Sequence, residues 1–125
     1  MILADTSIWI EFFKGNPKFF QLMRELLERQ EVLGLSPIYG ELLQGARDLR
    51  EERVLLNYWE SLPKINEEKL WIEAGKLSRE KKLVSKGIDL IDSVIILASN
   101  QTHSKVWTLD KKIFGYLKSD FIYRV

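Results

Sequence analysis

Four acidic residues stand beside short apolar runs. Asp5 directly follows Ile2-Leu3-Ala4. Glu41 comes shortly after Val32-Leu33-Gly34-Leu35. Asp92 precedes Ser93-Val94-Ile95-Ile96-Leu97-Ala98, and Asp110 follows Lys105-Val106-Trp107-Thr108-Leu109. Carboxylates that converge repel one another, by roughly 4 kcal/mol for two about 4 Å apart at an effective dielectric near 20. A cation would offset that repulsion. The chain has no cysteine and a single histidine, His103, which excludes disulfides, thiolate metal sites, Cys nucleophiles and paired-imidazole sites. All-oxygen ligation by carboxylates and water suits Mg²⁺ or Mn²⁺. A centre of that kind polarises a phosphoryl oxygen and activates a water for in-line attack.

Each acid also has a plainer explanation. Asp5 could cap the helix that follows it, and Glu41 could be a solvated helix residue. Asp92 could be a first-turn acid favoured by the helix dipole, and Asp110 a turn residue before Lys111-Lys112. For any one acid the plainer explanation is the better one; for four in this order it is not. Asp89 competes with Asp92 from three residues away, and the unbroken apolar run after Asp92 favours the latter.

Positioning these acids requires particular elements. Residues 2–4 read as a buried strand, and Thr6 or Ser7 could cap a helix carrying Ile8, Trp9, Phe12 and Phe13. Asn16-Pro17 opens a second helix. Residues 31–36 read as a second short strand, and 36–62 as helical, with a break possible near Gly45 or in the charged stretch 47–53. A further helix is expected after Asn66, as its cap, with Gly87 just past its end. Residues 90–101 read as a buried helix, and 105–110 and 121–125 as short strands. This order predicts an α/β chain with a short, mostly parallel central sheet flanked by helices on both faces. In a parallel sheet the carboxyl ends of the strands share one side, and sites form there. The four acids are then expected to converge.

At 125 residues, 46% hydrophobic and 30% charged, the chain is expected to form one domain spanning 1–125. Nineteen Lys and Arg against eighteen Asp and Glu leave a net charge of +1, so any surface for nucleic acid must be local. No secretory leader and no membrane-length apolar run is read from the sequence, and a cytoplasmic protein is expected.

Several activities lack their motifs. A receiver domain would want paired acids after its first strand, and a haloacid-type phosphotransferase Asp-x-Asp there, where Ser7 takes the second place. There is no G-x-G-x-x-G or G-x-x-x-x-G-K-[ST] nucleotide loop and no G-x-S-x-G elbow.

The segments "MILADTSIWIEFF", "YGELLQGARD", "GIDLIDSVIILAS" and "VWTLDKKIF" resemble the four motif blocks of PIN-domain nucleases. More narrowly, they resemble the VapC toxins of VapBC toxin–antitoxin pairs. The resemblance runs from Met1 to about Phe114 and implies a PIN-like three-layer sandwich. It places an acidic Mg²⁺ or Mn²⁺ site on Asp5, Glu41, Asp92 and Asp110, supported by Thr6, Ser7 and Thr108. It implies a metal-dependent endoribonuclease leaving 5′-phosphate and 3′-hydroxyl ends, and a VapB-like antitoxin as partner. Two details depart from the family pattern: Ile95-Ile96-Leu97 are bulkier than the small residues usual there, and "DKKIF" spaces acid and Phe more widely. A non-catalytic module on the same fold and a housekeeping RNA-processing nuclease are the alternatives.

Basic residues flank the acids: Arg47, Arg50 and Arg53 after Glu41, and Lys111 and Lys112 after Asp110. A phosphate backbone would suit such a rim, although Asp48, Glu51 and Glu52 interleave with the arginines as in a solvated helix face. Trp9 and Phe12, at helical spacing, are expected in the core, and His103 in a loop. Trp59, Leu70, Trp71, Ile72 and Leu77, with Phe12, Phe13 and Phe19, exceed what one small sheet face needs. That surplus predicts a homodimer and an apolar groove for a partner segment.

Overall fold

A short apolar run without alternation must be covered on both faces. Ile2–Ala4 is such a run, and all three residues are buried. The computed structural model describes residues 1–125. Its elements are β1 (Ile2–Ala4), α1 (Thr6–Phe13), α2 (Pro17–Glu28), α3 (Ser36–Gln44), α4 (Leu49–Ser61), α5 (Leu70–Lys81), α6 (Leu90–Thr102), β2 (Lys105–Trp107) and α7 (Lys111–Tyr116). Turns of 3₁₀ helix lie at Val84–Lys86 and Ser119–Phe121.

β1 and β2 pair in parallel, with Ile2 opposite Lys105, Leu3 opposite Val106 and Ala4 opposite Trp107. Single parallel bridges widen this sheet on both sides: Val32 joins Ile2, Lys64 joins Gly34, and Ile122 joins Val106. The order across the sheet is therefore 64, 32–34, β1, β2, 122, with every pairing parallel. α1 packs on α2 and α3, and α3 on α4; α5 packs on α6, which lies against β2. This is the expected three-layer α/β sandwich. Its buried apolar residues form one cluster, with Trp9 only 1% exposed. The Trp9 ring sits edge-on to Tyr39 at 5.3 Å and to Phe12 at 6.2 Å.

Short polar side chains start five of the helices by accepting otherwise unpaired N–H groups. Asp5 accepts from Ser7 N, Asn16 from Lys18 N, Asp48 from Glu51 N, Asp89 from Asp92 N, and Asp110 from Lys112 N and Ile113 N. The cap of α1 is thus Asp5, in place of Thr6 or Ser7.

Other boundaries also differ from the sequence expectation. The helical stretch 36–62 is broken after Gln44, where Gly45 ends α3 and Asp48 caps α4. Asn66 closes a turn on Glu68 N but caps no helix, and α5 begins at Leu70. Glu67 is diverted to the start of α3, accepting from Ser36 N at 2.9 Å and Ser36 Oγ at 2.5 Å. α5 ends with Lys82 in the left-handed region, and Gly87 closes the 3₁₀ turn beyond it. The expected strands 31–36 and 121–125 reduce to bridges at Val32, Gly34 and Ile122.

The apolar surplus divides. Phe12, Phe19 and Leu70 are core, while Phe13, Trp71 and Ile72 are exposed at 40%, 36% and 71%. No helix is long and apolar enough to cross a membrane.

Candidate active site

The chain leaves β1 toward one edge of the sheet and later crosses to β2 on its other side. Ligand crevices in parallel sheets open where the order reverses in this way, beyond the carboxyl ends of the two strands. The residues that follow those ends are Asp5, after Ala4, and Thr108, after Trp107. Asp5 N donates to Trp107 O at 3.0 Å, which extends the pairing of β1 and β2 up to the acid itself.

Asp5 is buried and held from both sides. Ser7 N donates to its Oδ1 at 3.0 Å, the Ser7 hydroxyl donates to the same oxygen, and the Thr108 hydroxyl donates to Oδ2. Both hydroxyls also accept. Leu109 N donates to Ser7 Oγ at 3.1 Å, and Asp110 N to Thr108 Oγ1 at 2.9 Å. The loop after β2 is thereby fastened to the carboxylate after β1. Burial pushes the Asp5 carboxyl above its usual range, and the Ser7 and Thr108 hydroxyls pull it only part of the way back.

Thr108→Val is expected to cost about 1–3 kcal/mol of stability, because it keeps the side-chain shape but leaves Asp5 Oδ2 and Asp110 N without partners. Urea unfolding of that variant beside Thr108→Ser, which restores the hydroxyl, checks this.

The other acids are placed as follows. Asp110 caps α7. Asp92 lies in the first turn of α6, three residues after the cap Asp89. Its carboxyl is pushed up to about 7, first by burial, then by the charge and hydrogen bond of Asp89, and then by the charge of Asp110. Asp89 and Asp92 are alternatives on sequence spacing; in the structure both act on one place. The signal was present in Asp-x-x-Asp, a cap with an acid at the third helical position. Glu41, on the exposed face of α3, accepts from Thr6 Oγ1 at 2.8 Å. The structure therefore joins Asp5 to the Asp110 loop through Thr108, sets Asp92 against Asp110, and ties Glu41 to α1. It does not gather any three of these acids closely enough to hold one ion between them as they stand. Full convergence of the four is thus not seen.

The donor chemistry nevertheless fits a hard divalent cation. Every candidate atom is an oxygen, and Mg²⁺ commonly uses one or two carboxylates with water completing its shell. A cation would also relieve the crowding that raises Asp92. His103 takes no part: it is exposed at the far end of α6, as its closing residue.

A groove of about 650 Å³ leads away from Thr6 and Glu41 between α1, α3 and α4. Ile10, Phe13 and Val54 line it, with Lys14, Arg47 and Arg50 on its rim. Arg47 is neutralised by Glu51 at 2.6 Å, so on this side the solvated ion-pair reading of the arginines holds for Arg47. Gly45 also lines the groove.

The PIN domain family model matches residues 2–117 of the chain. Among solved structures, a toxin–antitoxin complex from Klebsiella pneumoniae is similar, with a TM-score of 0.69 and 19% identity, covering 98% of this chain and 100% of that one. At that identity the likeness is one of fold. No curated protein matches the sequence.

Proposed function

Because this chain belongs to the PIN domain family, we propose that it is a metal-dependent endoribonuclease and the toxin of a toxin–antitoxin pair. The observation that carries the reading is the buried, hydroxyl-clamped Asp5 at the reversal of the sheet, with Asp110 linked to it through Thr108 and Asp92 set against Asp110. Asp5, Glu41, Asp92 and Asp110 hold Mg²⁺ or Mn²⁺, directly or through water. When bound, the ion supplies Lewis-acid polarisation of a phosphoryl oxygen and lowers the pKa of water.

The chain's own residues do the positioning. Ser7 and Thr108 fix the direction of both Asp5 oxygens, and Thr6 fixes Glu41. Asp92, crowded by Asp89 and Asp110, gains most from a cation nearby. No side chain forms a covalent intermediate: the chain has no cysteine, and the Ser7 hydroxyl is already committed to Asp5. Hydrolysis leaves 5′-phosphate and 3′-hydroxyl ends.

Residues 1–125 act as one domain in the cytoplasm. The exposed Trp71 and Ile72 of α5 supply a homodimer contact. The groove beside Glu41 accepts an antitoxin segment through apolar anchors at Ile10, Phe13 and Val54. The fold likeness to a chain of a toxin–antitoxin complex supports that role.

Incubation with single-stranded RNA is expected to give cleavage in Mn²⁺ or Mg²⁺ and none in EDTA, with end-labelling to identify the 5′-phosphate. Cleavage at an equal rate in EDTA would sink the mechanism. A small protein encoded beside this gene is expected to co-purify with the chain and silence it. Failure to do both would leave a housekeeping nuclease.

A further inference from the structure

Positive charge around the acidic crevice is unevenly spent. The chain's ion pairs are Lys14 with Glu11, Arg24 with Glu28, Arg47 with Glu51 and Lys76 with Glu73. None involves the lysines on the Asp89–Asp110 side. There, Lys86 ends the 3₁₀ turn after α5, and Lys111 and Lys112 open α7; all three are exposed.

Two segments far apart in sequence meet at these residues. Gly87 has φ +79°, and a Cβ placed on it would lie 3.0 Å from Lys112 Cδ and 3.1 Å from Lys112 Nζ. The missing side chain lets Lys112 lie across the turn. Lys86 Nζ stands 5.3 Å from the centre of the Tyr116 ring on α7, and donates to Lys81 O at 3.1 Å. Lys112 and Tyr116 are four residues apart and share a helix face, so Lys86 and Lys112 reach the same side of α7.

This cationic face borders the acids. Gly87 precedes Asp89 by two residues, and Lys112 follows Asp110 by two. Lysines held side by side repel; the Tyr116 ring and the Lys81 carbonyl offset part of that for Lys86, but no carboxylate of the chain pairs with any of the three. A polyanion would. An acidic crevice repels phosphates, so a phosphodiester can be held there only if neighbouring phosphates rest on cations.

We propose that single-stranded RNA lies along this face, with its phosphates on Lys86, Lys111 and Lys112, so that the backbone enters the crevice from the α7 side. The proposal rests on the ribonuclease reading for the identity of the strand. It assigns the binding track to the lysine side, and leaves the arginine-rimmed groove across the crevice outside it.

The test is fluorescence anisotropy with a labelled single-stranded RNA across a salt series, in an Asp5→Asn background that does not cut it. Lys86→Gln and Lys112→Gln are each expected to weaken binding about five-fold at 0.1 M salt, and to lower the slope of log K against log salt by about 0.7. Together they should weaken it about twenty-five-fold. Arg24→Gln, on α2, should change neither quantity. The track is overturned if either lysine variant keeps the affinity and slope of its parent, since both segments are required. Cleavage of the same RNA by the unsubstituted chain in Mn²⁺ is read separately. Lysine-dependent binding without cleavage would support the track and fail the nuclease reading; cleavage with lysine-independent binding would do the opposite.

Discussion

Asp5→Asn is expected to lower RNA cleavage by about 10³-fold or more while the chain stays folded, within the range of losses seen when a group acting on the reacting atoms is removed. The substitution is nearly isosteric and takes away a charge that burial already disfavours. The retained oxygen can still accept from Ser7 N and the Ser7 hydroxyl, so the start of α1 survives. The new amide faces the Thr108 hydroxyl, which can turn to accept from it. Asp5→Ala would be a poorer experiment, because it also removes the helix cap, at a cost of about 1 kcal/mol. Circular dichroism and a melting curve verify the fold, and a cleavage time course reads the activity. A variant that folds and cuts as fast as its parent would remove Asp5 from the mechanism.

A saturating divalent ion is expected to raise the thermal midpoint. Mn²⁺ at about a hundred times its dissociation constant stabilises the folded chain by about 2.7 kcal/mol if the unfolded chain does not bind it. For a domain of this size that is a rise of about 10 °C. EDTA should reverse the rise, and Asp92→Asn should abolish it. In EDTA the same variant should melt higher than its parent at neutral pH. The folded-state Asp92 carboxyl sits at about 7 against an ordinary 3.8, so the folded chain binds this proton more tightly than the unfolded one does. The destabilisation it causes is absent below the ordinary carboxylate range, grows as the pH rises, and is complete above about pH 7. The advantage of Asp92→Asn should follow that course, small at pH 4 and full at pH 8. A non-catalytic module on this fold has no reason to show either the Mn²⁺ effect or its loss.

Much of this was written into local sequence. The buried run Ile2–Ala4 ends at an acid, and the same acid caps α1 just beyond the carboxyl end of the strand. The cap explanation holds for Asp5 and for Asp110, and it leaves the proposed metal role of both to the oxygens that the caps do not fully occupy. α2 follows from apolar spacing and the cap Asn16, and α6 from the length, the Ala and Ser content and the acidic start of its apolar run. Less legible was whatever depends on residues distant in sequence. Glu67 leaves its own segment to bracket Ser36, so a helix that could start after Asn66 starts at Leu70 instead. Strand-like composition at 31–36 and 121–125 yields only bridges, because pairing depends on a neighbour as well as on the residues themselves. Lys64 beside Gly34 had no signal at all in its own sequence. Convergence of the four acids could be argued from topology only as far as the sheet end. How Glu41 is oriented is set by Thr6, which nothing but the folded chain places against it.

The narrowness of the sheet bears on how this chain survives crowding. At each margin a single residue bridges inward, Lys64 on one side and Ile122 on the other. The outer margin reads Leu62-Pro63-Lys64: proline offers no N–H, and the Lys64 ammonium leans over Trp59 at 4.7 Å. On the opposite margin Ile122 is followed two residues later by Arg124, whose guanidinium lies 5.0 Å from the Phe114 ring. A stray strand would gain about one rung at either border and would meet a charge beside it, so the sheet is a poor template for edge-to-edge polymerisation. The chain can expose Phe13, Trp71 and Ile72 to recognition by other proteins without also offering a backbone ladder on which copies of itself could stack into fibrils.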